Sequence, residues 1–447
     1  MKRKNWVVAI TVVFFFIGAV TGNAMAVDEI RIGTIGPTTG WATIFGQGCL
    51  NGIKLALDEY NNEFNGVPIK VFSEDTKADV EVMRTKLDTL KTRDNVHLII
   101  GPSLGHEGMA AVDWGARNPE VPMLIGYSAP EDITMRKATN SVIRPGWTGA
   151  QVIFNFGQYC AKDLGYKKII IVGQDYSYPW DQAAGFIRGF LENGGEKVER
   201  IWHPVEAVDF SSIMAKLMNM SKEYDAVLNN SGGAQVVGFF KQWKQFGLDK
   251  VYPQILGQAN VPIVSMLSEL GDSALGVYSS LHYYDGNPSE ANRKFRESFK
   301  KKYGHYPDVI AVQGYDAVHV AFKAMKAING QVDDPKKFIA ALRQVKMSVD
   351  ESPRGPFYFD KYANPVQNIY IKKVVKKDGR LMNEAIKTYQ NVSQFGPYGD
   401  MADNYMAAPA TTRDYPPGDK ASYFKEIEKY FGKDYVEKLE KNNGWVD

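Results

Sequence analysis

Cysteine is nearly absent: the 447 residues hold two, Cys49 and Cys160. So thin a supply excludes a disulfide-stapled scaffold and any thiolate metal cluster. Both fall on expected helices in different halves of the chain, so they read as two buried free thiols, with a disulfide as the alternative. Histidine is scarce too. The six are scattered without metal-ligand spacing, and His106-Glu107 is not followed by a second His four residues after the first. No metal is expected. A Gly-x-Ser-x-Gly nucleophile elbow is missing as well, which removes the commonest hydrolase signature.

Charge of one sign is also lacking. The formal net charge is +2, and removing Lys2, Arg3 and Lys4 with a leader takes three positive charges away, leaving −1. A near-neutral balance gives no electrostatic case for nucleic acid or an anionic membrane surface. Long hydrophobic runs are limited to one, Trp6 to Val20. It follows a basic start, precedes Ala24-Met25-Ala26, and is shorter than the roughly 20 residues that span a bilayer. Residues 1–26 therefore read as a cleaved signal peptide, a retained anchor being the alternative. The mature protein is expected in the periplasm or outside the cell, without stable membrane insertion.

What is present is alternation. Glu29 to Ile35, Pro68 to Phe72, Val96 to Ile100 and Pro122 to Gly126 read as short strands rich in β-branched residues. Helical periodicity falls between them, over Leu50 to Leu57, Val80 to Lys91 and Met109 to Arg117. The pattern restarts at Lys167 to Gly173 and continues through a helix at Ala183 to Glu192. Further strands fall at Val198 to His203, Ala226 to Asn229, Gln254 to Gly257 and Gly276 to Ser280. Helices over Glu290 to Tyr303 and Asp316 to Ile328 follow, then a hairpin turning at Asp378-Gly379. Strands alternating with helices predict two doubly wound parallel α/β sheets. From Phe395 the chain becomes turn-rich and ends in a charged amphipathic helix, Phe424 to Leu439.

In open α/β sheets, ligands sit beyond the carboxyl ends of strands, where helix N-termini offer free N–H groups. Six segments occupy that position: Gly36 to Trp41, Gly101 to His106, Gly126 to Pro130, Gln174 to Tyr178, Asn230 to Gly233 and Gly257 to Asn260. Each is polar, small or aromatic. Gly46-Gln47-Gly48-Cys49-Leu50-Asn51-Gly52 looks like a dinucleotide loop, but its spacing is one residue too long and it follows a long loop instead of a strand. It reads as a helix start with small residues for close packing, and no cofactor is expected.

Several motifs carry a family likeness. They are Ile32-Gly33-x-x-Gly36-Pro37-x-Thr39-Gly40 with Gly46, Gly52-Ile53-x-Leu55-Ala56, and Ile100-Gly101-Pro102. Ala129-Pro130 with Thr134, Asp209-Phe210, Gly314-Tyr315-Asp316-Ala317 and Arg354-Gly355-Pro356 complete the set. In this order, from about Glu29 to Ile386, the chain resembles solute-binding proteins of ABC importers of the branched-chain amino acid class, the type I periplasmic binding fold.

The resemblance implies two lobes joined by three crossovers, near Arg144–Thr148, Gly276–Tyr284 and Asp350–Arg354. Lobe 1 is expected over 27–146 plus 281–350, lobe 2 over 147–280 plus 351–394, and a C-terminal extension over 395–447. It implies a monomeric, non-enzymatic protein that closes on a small molecule and is read by importer permease subunits. A ligand-sensing ectodomain reporting to a receptor is the alternative. The family serine that holds a ligand carboxylate falls at Gly105, a departure that leaves only backbone. Its neighbouring hydroxyl and backbone site falls at Tyr127, Ser128 and Ala129, and the second-lobe aromatic at Tyr178. The acid that would pair with an α-ammonium should lie near Gln258-Ala259-Asn260, and none is there.

With the strand-end loops, this gives a ligand-contact set. The first half contributes Trp41, Phe45, Ser103, Leu104, Gly105, His106, Tyr127, Ser128 and Ala129. The second contributes Tyr176, Tyr178, Ser231, Gly232, Gln258 and Tyr283. The missing acid and the many rings, Tyr284 among them, favour an aromatic or apolar carboxylate over a plain amino acid. A true branched-chain amino acid binder is the remaining alternative.

Overall fold

The computed structural model describes residues 27–252 and 255–445, so the leader assigned to residues 1–26 lies outside it. The first sheet is built from β1 (Ile30–Gly36), β2 (Glu63–Phe64), β3 (Val67–Asp75), β4 (Leu98–Ile100), β5 (Met123–Leu124) and β6 (Val142–Ile143). Its order is β2-β3-β1-β4-β5-β6. All neighbours run parallel except β2 and β3, which form a hairpin. Helices α1 (Thr43–Glu59), α2 (Val80–Thr92) and α3 (Gly105–Arg117) make the crossovers that parallel pairing requires. Asp79 caps α2 by accepting from the N–H groups of Glu81 and Val82, at 2.8 and 2.9 Å.

The second sheet holds β7 (Lys168–Gln174), β8 (Lys197–His203), β9 (Ala226–Asn230), β10 (Ile255–Gly257) and β11 (Tyr278–Leu281) in parallel. An antiparallel flank of β12 (Lys346–Met347), β13 (Phe357–Phe359), β14 (Pro365–Lys377) and β15 (Arg380–Val392) completes it. The hairpin turns at Asp378-Gly379, as expected, with both residues at positive φ. Helices α4 (Phe154–Lys162), α5 (Ser177–Leu191), α6 (Ser211–Met220), α7 (Gln235–Gln245) and α8 (Val264–Leu270) cover this sheet.

After β11 the chain leaves that sheet for α9 (Glu290–Tyr303) and α10 (Val309–Ala327), which pack on α1, and then α11 (Pro335–Arg343). The family-like glycines sit at the α1–α10 contact: a Cβ on Gly52 would lie 2.0 Å from the Ala311 carbonyl oxygen, and one on Gly314 would lie 2.1 Å from that of Cys49. Only glycine permits these backbones to approach so closely. Cys49 on α1 and Cys160 on α4 are buried and free.

Several expected helices differ in extent, α1 and α3 among them, which begin at Thr43 and Gly105. α5 starts at Ser177, because Pro179 falls in its first turn, where a missing N–H costs nothing. α10 starts at Val309, capped by the Asp308 carboxylate on Ile310 N at 2.9 Å. The expected C-terminal helix is two, α13 (Lys420–Phe431) and α14 (Lys433–Asn442), after the short α12 (Ala402–Ala407). Gly432 between α13 and α14 stands at φ +84, outside helical space.

The extension packs against both halves. Glu192, just after α5, accepts from the hydroxyls of Tyr398, Tyr423 and Tyr435 and from Trp445 Nε1. Tyr405 accepts from Arg188 on α5 at 2.8 Å and donates to Glu131, beyond the first sheet, at 2.6 Å.

Candidate functional site

Between the carboxyl ends of the two sheets lies a cavity of about 90 Å3, partly open to solvent. The first half reaches it through three segments. Trp41, 69% exposed, stands at the rim in the loop after β1, and Phe45 follows on the first turn of α1. Ser103 and Leu104 lead from β4 into Gly105 and His106 at the start of α3. Tyr127 and Ala129 follow β5. The second half presents Tyr176 and Tyr178 after β7, Gly232 and Gly233 after β9, and Gln258 and Asn260 after β10.

The walls are a chain of ring contacts. Phe45 stacks on Tyr127 with centroids 5.7 Å apart, Tyr127 meets Trp147 at 5.9 Å, Trp147 meets Tyr178 edge-on at 5.8 Å, and Tyr178 meets Tyr176 at 6.4 Å. Burial pushes the phenols of Tyr127 and Tyr178 well above their ordinary range, so both keep their protons at neutral pH. Among the described residues no Asp, Glu, Lys or Arg lines the cavity. Trp147 is fixed by donating its Nε1–H to the Tyr127 carbonyl at 3.1 Å.

The positive end of the site is backbone. The buried Glu107 carboxylate in the first turn of α3 accepts from the Leu104 N–H at 3.4 Å, and among the described residues no side chain accepts from the N–H groups of Gly105 and His106, which remain for a ligand. A Cβ on Gly105 would stand 3.3 Å from Pro130 Cγ and 3.8 Å from Ser177 Oγ on α5. The tight neighbour is Pro130 in the same half, and the Ser177 contact across the cleft is of ordinary van der Waals length.

Twelve of the residues expected from sequence line this cavity: Trp41, Phe45, Ser103, Leu104, Gly105, His106, Tyr127, Ala129, Tyr176, Tyr178, Gly232 and Gln258. Three do not. Ser128 points the opposite way from its neighbours Tyr127 and Ala129, with its Oγ against Gly108 of α3. Ser231 turns its hydroxyl to His203 Nε2 at 2.8 Å. Tyr283 is buried among the helices, donating to Asn292 Oδ1 at 3.1 Å, and lines a separate small cavity together with Tyr284. Trp147, Ile263 and Met266 also line the site and were not foreseen, while Gly233 and Asn260 line it from strand-end segments singled out in the sequence but left out of the contact set. The signal for Trp147 was its place in the first crossover segment.

Among the described residues no helix is long and apolar enough to cross a membrane, and no group of His, Cys, Asp and Glu converges as a metal site.

Comparisons with known proteins match this architecture. A family model described as periplasmic binding protein matches residues 29–380. Leu/Ile/Val-binding protein homolog 6 of Brucella melitensis is 29% identical over 388 residues, covering 86% of this chain and 97% of that protein. An ABC transporter substrate-binding protein from Sphaerobacter thermophilus superposes with a TM-score of 0.78 at 27% identity, covering 82% of this chain and 99% of the other. A solute-binding protein of an ABC transporter from Rhodopseudomonas palustris BisB5, solved with 3,4-dihydroxy benzoic acid, gives a TM-score of 0.76 at 31% identity and the same coverage. With the matched segment spanning both sheets and the cavity between them, the chain belongs to the periplasmic binding protein family, as a substrate-binding protein of ABC transporters and not an enzyme.

Proposed function

We propose that the protein binds a small aromatic carboxylate outside the cytoplasm and hands it to the permease subunits of an ABC importer. The observation that carries this reading is the wall of five consecutive rings with no acidic side chain among the lining residues. An α-ammonium buried without a charged partner costs several kcal/mol. A carboxylate meets the bare N–H groups of α3 instead, and a ring fits between Tyr127, Trp147 and Tyr178. The benzoic acid held by the similar Rhodopseudomonas protein supports the same chemistry.

Two other readings have support. The Brucella relative's name favours a branched-chain amino acid. A sensing ectodomain would use the same cavity and differ in which partner reads it.

A thermal-shift and calorimetry panel of benzoate, leucine, isoleucine and valine separates the ligands. A micromolar ligand at one hundred times its Kd stabilises by about 2.7 kcal/mol, which moves Tm by several degrees. Benzoate is expected to do so. Stabilisation by leucine or valine with none from benzoate rejects the aromatic reading. Loss of labelled benzoate uptake in cells lacking the protein is the outcome expected of an importer component, and unchanged uptake with an altered transcriptional response points to a sensor.

A further inference from the structure

Two polar atoms of lining residues lack any hydrogen-bond partner although they are shielded from solvent: Asn260 Oδ1 and the Tyr127 hydroxyl. Asn260 is 8% exposed and Tyr127 7%. Buried polar groups are nearly always paired, so an orphan in a ligand cavity points to a partner that the ligand brings.

What Asn260 asks of that partner is fixed by its neighbours. The backbone N–H of Asn260 donates to Gln258 Oε1 at 2.7 Å, and Gln258 Nε2 donates to the Ser231 carbonyl at 2.9 Å. A backbone N–H can only donate and a carbonyl only accept, so the Gln258 amide has one possible orientation. The Tyr178 hydroxyl, 2.8 Å from Gln258 Oε1, must therefore be the donor there. With its one proton committed, the Tyr178 oxygen accepts from Asn260, whose Nδ2 lies 3.0 Å away. The Asn260 amide is thus pinned with its NH2 toward Tyr178. Its atom without a partner, Oδ1, is an acceptor.

We infer that the ligand is an aromatic acid bearing a ring hydroxyl, and that Asn260 Oδ1 reads it by accepting that hydroxyl's hydrogen bond. This rests on the aromatic-carboxylate reading above and narrows it. Plain benzoate leaves Asn260 Oδ1 unpaired, and a methoxy ring brings an acceptor against an acceptor. Tyr127, free to donate or accept, discriminates neither.

The test is calorimetric titration of the purified protein with benzoate, 3-hydroxybenzoate, 4-hydroxybenzoate and 4-methoxybenzoate. At least one hydroxybenzoate is expected to bind about ten-fold or more tighter than benzoate and methoxybenzoate, because a site with an unmet acceptor penalises ligands that lack the donor. In Asn260→Leu the hydroxyl advantage disappears, the hydroxybenzoate and benzoate affinities converging to within about two-fold of each other. Tyr178→Phe supplies a second check should Asn260→Leu fold poorly. With the hydroxyl gone the amide is free to turn, and the gap between the hydroxy and methoxy ligands narrows. Equal affinity for benzoate and both hydroxybenzoates overturns the inference and leaves the aromatic reading standing, as does a hydroxyl advantage that survives in Asn260→Leu. Failure of every aromatic acid to bind overturns both.

Discussion

Replacing Glu192 with Ala is expected to release the C-terminal extension while leaving the two sheets folded. The Glu192 carboxylate is 1% exposed and accepts four hydrogen bonds, all from residues beyond 395. Tyr435 and Trp445 reach Oε2 at 2.9 and 2.6 Å, while Tyr398 and Tyr423 share Oε1. Burial pushes the carboxyl upward, and these four donors pull against it. A hydrogen bond to a charged acceptor contributes about 1.5 to 3 kcal/mol, so four of them nominally exceed 6 kcal/mol. The observable loss is smaller, since the donors escape burial once the segment lifts off and is hydrated. The cost is capped at the docking energy of the segment. In Glu192→Gln the amide NH2 faces two donors in place of an acceptor, so about half the bonds survive and the segment stays docked but exchanges faster. Hydrogen exchange followed by mass spectrometry reads this directly. Peptides covering 398–445 should lose protection in Glu192→Ala, with those of β7 and β9 unchanged. Wild-type protection of that segment in Glu192→Ala would refute the reasoning.

Asp316→Asn is expected to cost about 3 to 5 kcal/mol in denaturant unfolding, because it leaves the buried Arg354 guanidinium, 3.0 Å from the Asp316 carboxylate, without its counter-charge; a loss under about 1 kcal/mol contradicts this. His319 is held down to about 4 by burial, with the Glu351 charge acting weakly in the other direction. A depressed histidine stabilises the fold fully above its unfolded value near 6.5, and that contribution fades as pH falls toward 4. The stability gap between wild type and His319→Gln should therefore narrow by about 3 kcal/mol between pH 7 and pH 4, measured by urea melts, and a constant gap rejects the assignment. Cys49 and Cys160 are buried and unpaired, with the Cys49 thiol pushed up to about 12 by burial. A thiol reagent should find no reactive group in the native protein and two in denaturant without reductant; two groups missing under denaturing conditions would mean a disulfide.

The alternating sheets were legible where a strand is a β-branched run closed by turn formers, as in Lys168–Gln174 followed by Asp175, and not at the two- and three-residue strands β2, β6, β12 and β13. The loops beyond those strands were legible for the same reason, and most of the cavity follows from them. Facing within a loop was not. Ser128 sits between two cavity residues and points away, which only the backbone path decides. Tyr283 follows β11, but the chain there turns among α9 and α10, so its ring packs inside the first half. Trp147 belongs to a crossover and not to a strand end, and Ile263 and Met266 reach the cavity only because α8 folds back after Val261-Pro262. Gly432 carried a plain signal, a glycine after Tyr430-Phe431, and the single expected helix ran through it.

Charge near the cavity shapes it instead of filling it. Arg144 is fully buried beside the site, and its guanidinium donates to the carbonyls of Trp147 at 2.8 Å, Pro130 at 2.6 Å and Ser128 at 3.4 Å. Burial lowers it to about 9, so it remains a cation at neutral pH. With its donors turned to backbone, that cation clamps the crossover to the loop after β5, which seats Trp147 between Tyr127 and Tyr178. Arg354 does the same from the third crossover, donating to the Gly146 carbonyl at 3.0 Å and Gln367 at 2.9 Å. Arg144 points at carbonyl oxygens, and Arg354 at carbonyl oxygens and the Asp316 carboxylate, so neither supplies a counter-charge to a ligand. An anion in this site meets the oriented N–H groups of α3, whose partial charge is fixed in the fold. The same rigid arrangement positions the ring that the anion carries, because the wall meeting it is anchored to the very loop the arginine holds.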